Sequence, residues 1–139
     1  MNSNTFIPES STGTVPFQEQ EAPNEYSPGS RICTRVAGVT FNGRQSIVAQ
    51  LCIGEQILLI REPTNYYDHN AIRVERKKGQ QIGYLNRFLA ANLVRFFDTH
   101  NEPVSANVQC LTGSRQNGYS LGVVITFNVP EPESASQGV

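Results

Sequence analysis

The 139-residue chain contains no apolar run long enough to cross a bilayer, and Met1–Ser10 lacks the basic start and apolar centre of a secretory leader. The expectation is an intracellular protein with no membrane partner, cytoplasmic in a bacterium or nuclear in a eukaryote. Cysteine is scarce, and Cys33, Cys52 and Cys110 are an odd number at wide spacings. That pattern argues against a disulfide framework, and the thiols read most simply as small buried hydrophobes in a reducing compartment. Zinc needs paired ligands at short spacing, whereas His69 and His100 are distant from one another and from every cysteine, so no metal is expected. A GxxxxGK[ST] phosphate loop is missing, which excludes ATP hydrolysis of that type. Asp68 and His69 adjoin, but no motif places a Ser or Cys nucleophile beside them. No catalytic residue, enzyme activity or cofactor is expected.

Apolar residues are also sparse at both ends. Residues 1–30 and 130–139 are rich in Ser, Glu, Gln, Pro and Gly, and they cannot bury enough surface to offset the entropy of ordering. They read as disordered tails around a single domain at residues 31–129, a size at which one core suffices. The formal charge of −1 hides how charge is divided. All 11 Lys and Arg lie between Arg31 and Val129 with only six acids, a net charge of +5. The tails hold the other six acids and no base. A basic domain with acidic tails points to a polyanion partner, with tails able to compete for its surface; acidic tails that merely aid solubility read equally well.

Within the domain, short apolar runs alternate with turn signals. Arg31–Val39 and Gln45–Leu51 read as strands around Asn42-Gly43, a strong hairpin signal because both residues tolerate positive φ. Further strands are predicted at Gln56–Arg61, Asn70–Arg76, Gln80–Leu85, Val104–Leu111 and Tyr119–Val129. Asn86 caps a predicted helix at Arg87–Asp98. Its Phe88, Leu89, Leu93, Phe96 and Phe97 recur at core spacing, while Arg87, Asn92 and Arg95 face outward. The fold class is mainly β, a small antiparallel barrel with one or two helices.

The segment Pro63-Thr-Asn-Tyr-Tyr-Asp-His-Asn70 interrupts two strands with polar and aromatic residues that no fold requires. Pro63 removes a backbone donor, and Asn65, Asp68 and Asn70 can bond to their own main chain, so the loop is expected to be ordered. Small barrels bind single strands by stacking bases on exposed rings beside a positive groove, and Phe41, Tyr66 and Tyr67 are the candidate rings. From the residues alone, a half-buried barrel rim accounts for Phe41 and Tyr67 as well as stacking does. Lys77-Lys78-Gly79 reads as a solvated turn that adds sequence-independent attraction at most.

The order EPxNxYDxNAI, a basic-Gly turn and then QIGYL resembles the HIRAN domain, found fused to Swi/Snf-type ATPases and ubiquitin ligases of DNA repair and as a small bacterial protein. The resemblance runs from about Arg35 to Phe127 and includes Val36-Ala37-Gly38-Val39-Thr40-Phe41 and Gly43. It implies an OB- or SH3-like barrel, with any ATPase or ligase activity residing in fused domains. Position by position, it implies that Phe41 stacks on a terminal base and that Tyr67 and Asp68 enclose the last nucleotide. An ionised carboxylate accepts well from a 3′-hydroxyl and repels a phosphate, although Asp68 can equally cap its own loop. Arg87 matches a phosphate contact, Tyr84 a position often His or Tyr, and Phe127 an aromatic near the pocket for which core packing is as good a reading. Where DNA-binding members have Arg and two aromatics, this chain has Thr40-Phe41-Asn42, losing a guanidinium and a ring.

The leading expectation is a non-enzymatic module for single-stranded DNA or its 3′ end in repair or stalled-fork processing, with a repair or helicase protein as a second partner. The alternative is an adaptor that binds a peptide or partner protein through the barrel groove or the tails.

Overall fold

Gly122–Asn128 shows how the chain builds its core: Val123, Ile125 and Phe127 point inward and are buried, while their neighbours reach the outer surface. In the computed structural model, which describes residues 26–100 and 102–132, this alternation recurs in six strands. They are β1 (Arg31–Ala37), β2 (Gln56–Arg61), β3 (Ile72–Arg76), β4 (Gln81–Leu85), β5 (Val104–Thr112) and β6 (Gly122–Asn128). All pairings are antiparallel, and the order β1-β4-β3-β2-β5-β6 closes on itself as a barrel. Closure removes the free edges that an open sheet would leave to other chains. Ile57, Leu59, Ile72, Val74, Ile82, Val108 and Ile125 fill the interior at 0–1% exposure. Each such burial stabilises by about 2 kcal/mol.

Helix α2 (Arg87–Asp98) starts where Asn86 accepts hydrogen bonds from the backbone N–H groups of Phe88 and Leu89 at 2.8 and 3.1 Å. Ala90, Leu93 and Phe97 form its buried stripe. Phe88 was expected in that stripe but is 74% exposed, and Phe96 is only half-buried. Residue 88 lies two positions before Ala90, about 200° round the helix, so it faces away from the stripe of Ala90, Leu93 and Phe97. The cysteine expectation also fails: Cys33 and Cys52 are exposed and Cys110 half-buried, because odd positions of β1 and the start of the β2 turn face solvent.

The strand expected at Gln45–Leu51 is instead helix α1, Arg44–Val48. Asn42 and Gly43 do take the positive φ foreseen, at 56° and 75°, but two left-handed residues here lead the chain into a helical turn. Arg44 and Val48 are buried four residues apart and Leu51 three further on, a helical spacing. Gln45 then ties the turn after β1 to the entrance of β6. Its amide donates to the carbonyls of Val39 and Leu121 and accepts from the Leu121 N–H.

The tails expected at 1–30 and 130–139 lie, up to residue 25 and from residue 133, outside the described residues. Tyr26 packs against the core, and the Gly29 N–H donates to Val129 O at 2.8 Å. Arg31 opens β1 directly opposite Asn128 at the end of β6. Among the described residues, no helix is long and apolar enough to cross a membrane.

The barrel closes where β1 meets β4 through a short seam of only two paired positions, Val36↔Leu85 and Ala37↔Tyr84. A Cβ on Gly83 would lie 2.3 Å from Ala37 O and 2.8 Å from Val36 Cγ1. Gly83→Ala must therefore push the two strands apart. It should lower stability by about 2–3 kcal/mol, the upper range for overpacking, as read by chemical denaturation.

Candidate nucleic-acid interface

The loop between β2 and β3 is ordered by its own side chains. Asn65 Oδ1 accepts from the backbone N–H groups of Tyr67 at 2.8 Å and Asp68 at 3.0 Å, and Asp68 Oδ1 accepts from Asn70 N–H at 2.9 Å. Main-chain bonds Glu62 N–H to Ala71 O and Ala71 N–H to Asp68 O close its base. Arg61 braces it from the helix side, donating to the carbonyls of His69 and Ala71 while its Nε meets Asp98 of α2 at 2.8 Å.

The result is a rigid turn with its rings outward. Tyr66 and Tyr67 are each 86% exposed and pack edge to face with centroids 5.0 Å apart. Asp68 is half-buried. One of its carboxylate oxygens serves the loop, and the other is neither bonded nor sealed from solvent. The capping role and an unbonded acceptor that solvent reaches therefore coexist in the same side chain.

Beneath the loop lies a polar cluster centred on Glu62. Its Oε1 accepts from Asn65 Nδ2 at 2.7 Å and from the Tyr84 hydroxyl at 2.8 Å, and its Oε2 meets Arg73 Nη1 at 2.9 Å. Burial pushes the Glu62 carboxyl up, but the hydrogen bonds from Asn65 and Tyr84 and the charge of Arg73 outweigh it, leaving the group below its ordinary value. Arg73 Nε also lies 2.6 Å from Glu75 Oε2, an ion pair whose angle is too poor for a hydrogen bond. Glu75 lies on the same outer face of β3 as Arg73, opposite Leu58, and is buried there at 9% exposure.

Tyr84 carries this cluster to the turn after β1. The Arg44 guanidinium lies 5.6 Å from the centre of the Tyr84 ring, and its Nη1 donates to Gly38 O at 2.8 Å. The Arg44 N–H donates in turn to Phe41 O, and Phe41 is 64% exposed. A continuous chain of contacts thus runs from Phe41 through Arg44, Tyr84 and Asn65 to Tyr67 and Asp68. Thr40 is exposed in the same turn. Arg87 opens α2 three residues after Tyr84, is exposed, and makes no ion pair among the described residues. Phe127 is different: at 4% exposure on β6 it is part of the barrel core, out of a surface ligand's reach.

Sequence reasoning missed Arg44, Glu62 and Arg73. In the sequence Arg44 reads as the last residue of a hairpin turn, Thr40–Arg44. Glu62 and Arg73 are 11 residues apart, and only the β2–β3 pairing brings them together. Among the described residues, no group of three His, Cys, Asp or Glu converges as a metal site.

A closed barrel that holds a rigid aromatic loop and a ring-bearing turn on one connected frame defines a small binding module. Residues 31–129 match the HIRAN domain, and the chain belongs to that family. The crystal structure of the HIRAN domain of human HLTF superposes with a TM-score of 0.51 at 26% identity, covering 73% of this chain and 78% of that one. A Lactobacillus plantarum protein of known structure gives a TM-score of 0.51 at 21% identity over 71% of this chain and 99% of its own, a likeness of fold. The rabbit (Oryctolagus cuniculus) helicase-like transcription factor is 36% identical over 73 residues, 52% of this chain, and the chain spans 7% of that protein's length.

The depressed Glu62 carboxyl has a consequence for stability. A carboxyl lowered in the folded state contributes fully above its ordinary value of 4.5, and that contribution is lost as pH falls through the folded value. Chemical denaturation of the native protein and Glu62→Gln should therefore differ at pH 6 and converge as the pH is taken below 4. A constant difference across that range would contradict the assignment.

Proposed function

We propose that this domain binds single-stranded DNA at its 3′ end, as a non-catalytic recognition module serving DNA repair or stalled-fork processing. The observation that carries the reading is the β2–β3 loop, which places two exposed rings and an open carboxylate oxygen on one rigid turn. Rings held outward offer stacking surfaces that suit any base, and their ordering cost is already met by Asn65. Beside them Asp68 offers an acceptor for a terminal hydroxyl, and its charge repels a terminal phosphate.

Phe41 supplies a second stacking surface at the other end of the contact chain, with Thr40 beside it. Arg87 contributes a phosphate contact from the start of α2, where a cation is unfavourable for the helix and so calls for another reason to be there. Tyr84 orients both halves. Kinship with a helicase-like transcription factor supports a role alongside a helicase or repair protein.

Fluorescence anisotropy with a short strand ending in 3′-hydroxyl or 3′-phosphate tests this. The hydroxyl form should bind about tenfold more tightly, the equivalent of about 1.4 kcal/mol. Asp68→Asn keeps an oxygen for Asn70 and removes the charge, so it should bring the two strands within about twofold of one another. Tyr67→Ala and Phe41→Ala should each weaken binding by about 1–3 kcal/mol without lowering the melting temperature, since both rings are exposed. Equal binding of the two strands by the native protein would overturn end recognition. Binding that ignores salt would favour a peptide ligand over a strand.

A further inference from the structure

Among the described residues, the arginines that are largely buried follow a rule with one exception. Arg61, Arg73 and Arg76 each meet a carboxylate within 2.9 Å, from Asp98, Glu62 and Glu55. Arg44, at 8% exposure, meets none. Burying an unpaired guanidinium is costly, and such a charge normally has an anion beside it.

What holds Arg44 is neutral: the Gly38 carbonyl and the face of Tyr84. These fix one edge of the planar group. Its remaining N–H groups have no partner, yet Arg73 Nε is the sole buried side-chain polar atom without one among the described residues. The free edge of Arg44 therefore reaches solvent. It does so in the turn that carries Phe41 and against the ring of Tyr84, inside the contact chain that joins the two stacking surfaces. Gly38 makes room for it: at φ +74° a Cβ there would come within 3.1 Å of Arg44 Nη1.

We propose that Arg44 is a phosphate-binding residue of this site, its free edge taking the backbone phosphate that lies between a base on Phe41 and the terminal nucleotide in the β2–β3 loop. This rests on the strand-binding reading above. A guanidinium offers two parallel donors to a phosphate, and one already immobilised by Gly38 and Tyr84 loses little freedom on binding.

The test is the salt dependence of binding to a 3′-hydroxyl single strand, measured with the native protein, Arg44→Gln and Arg44→Lys, with a thermal melt of each. One lost phosphate contact reduces the slope of log affinity against log salt by about 0.7 for a single strand, so between 50 and 200 mM salt Arg44→Gln should lose about threefold less affinity than the native protein. Arg44→Lys should keep the native slope. Strands with one neutral methylphosphonate linkage, moved stepwise from the 3′ end, then locate the contact. One linkage should weaken native binding severalfold, weaken Arg44→Lys less, and leave Arg44→Gln unchanged. Should Arg44→Gln melt, the native and Lys proteins still decide: the same penalty in both at every linkage overturns the inference. An unchanged slope in folded Arg44→Gln overturns it too. Failure of the native protein to bind any strand would instead sink the strand-binding reading itself.

Discussion

The Glu62 carboxylate is where the barrel and the β2–β3 loop become one body. It stands at the end of β2 and bonds a loop amide, a β4 hydroxyl and a β3 guanidinium at once. Three strands and a turn are thereby related through a single group, so displacing any one disturbs the others. Its donors are matched to its lone pairs, which is why a half-buried acid here stabilises the fold. Tyr84 extends the same frame to Arg44 and the Phe41 turn. The exposed rings are precise in position because Asn65 beneath them holds the loop backbone and is itself held by Glu62.

Most of the barrel was legible from alternation. Strands β2 to β6 and helix α2 fall where the apolar periodicity and Asn86 place them. The failure at α1 is instructive because the local signal was read correctly. Asn42 and Gly43 do adopt left-handed backbone, yet that property starts a helix as readily as a hairpin, and five residues are too few for periodicity to choose. Packing chooses, through Val48 against the core and Gln45 against the β6 entrance. The exposure of Cys33, Cys52 and Phe88 was hidden for a similar reason: residue type states a preference for burial, and only the register states which face is inside.

The candidate site divides along the same line. The β2–β3 loop was readable because Asn65 and Asp68 act within a few residues of themselves. The groups that support it come from β2, β3, β4 and α1, and no spacing rule connects them. Phe127 marks the limit of carrying a role over by position, since the matched ring here points into the core. The positive charge of the domain is likewise only partly surface charge, because three of its arginines are engaged by carboxylates within the fold.

The pairing of β1 with β6 sets Arg31 opposite Asn128, and Gly29 bonds Val129 just beyond. The two ends of the barrel are thus neighbours on one seam. A domain with adjoining ends can be spliced into a surface turn of a larger protein as a self-contained cassette, without prising that protein apart. Because Tyr66 and Tyr67 sit on the β2–β3 turn and not on that seam, splicing at the seam would leave both rings where they are.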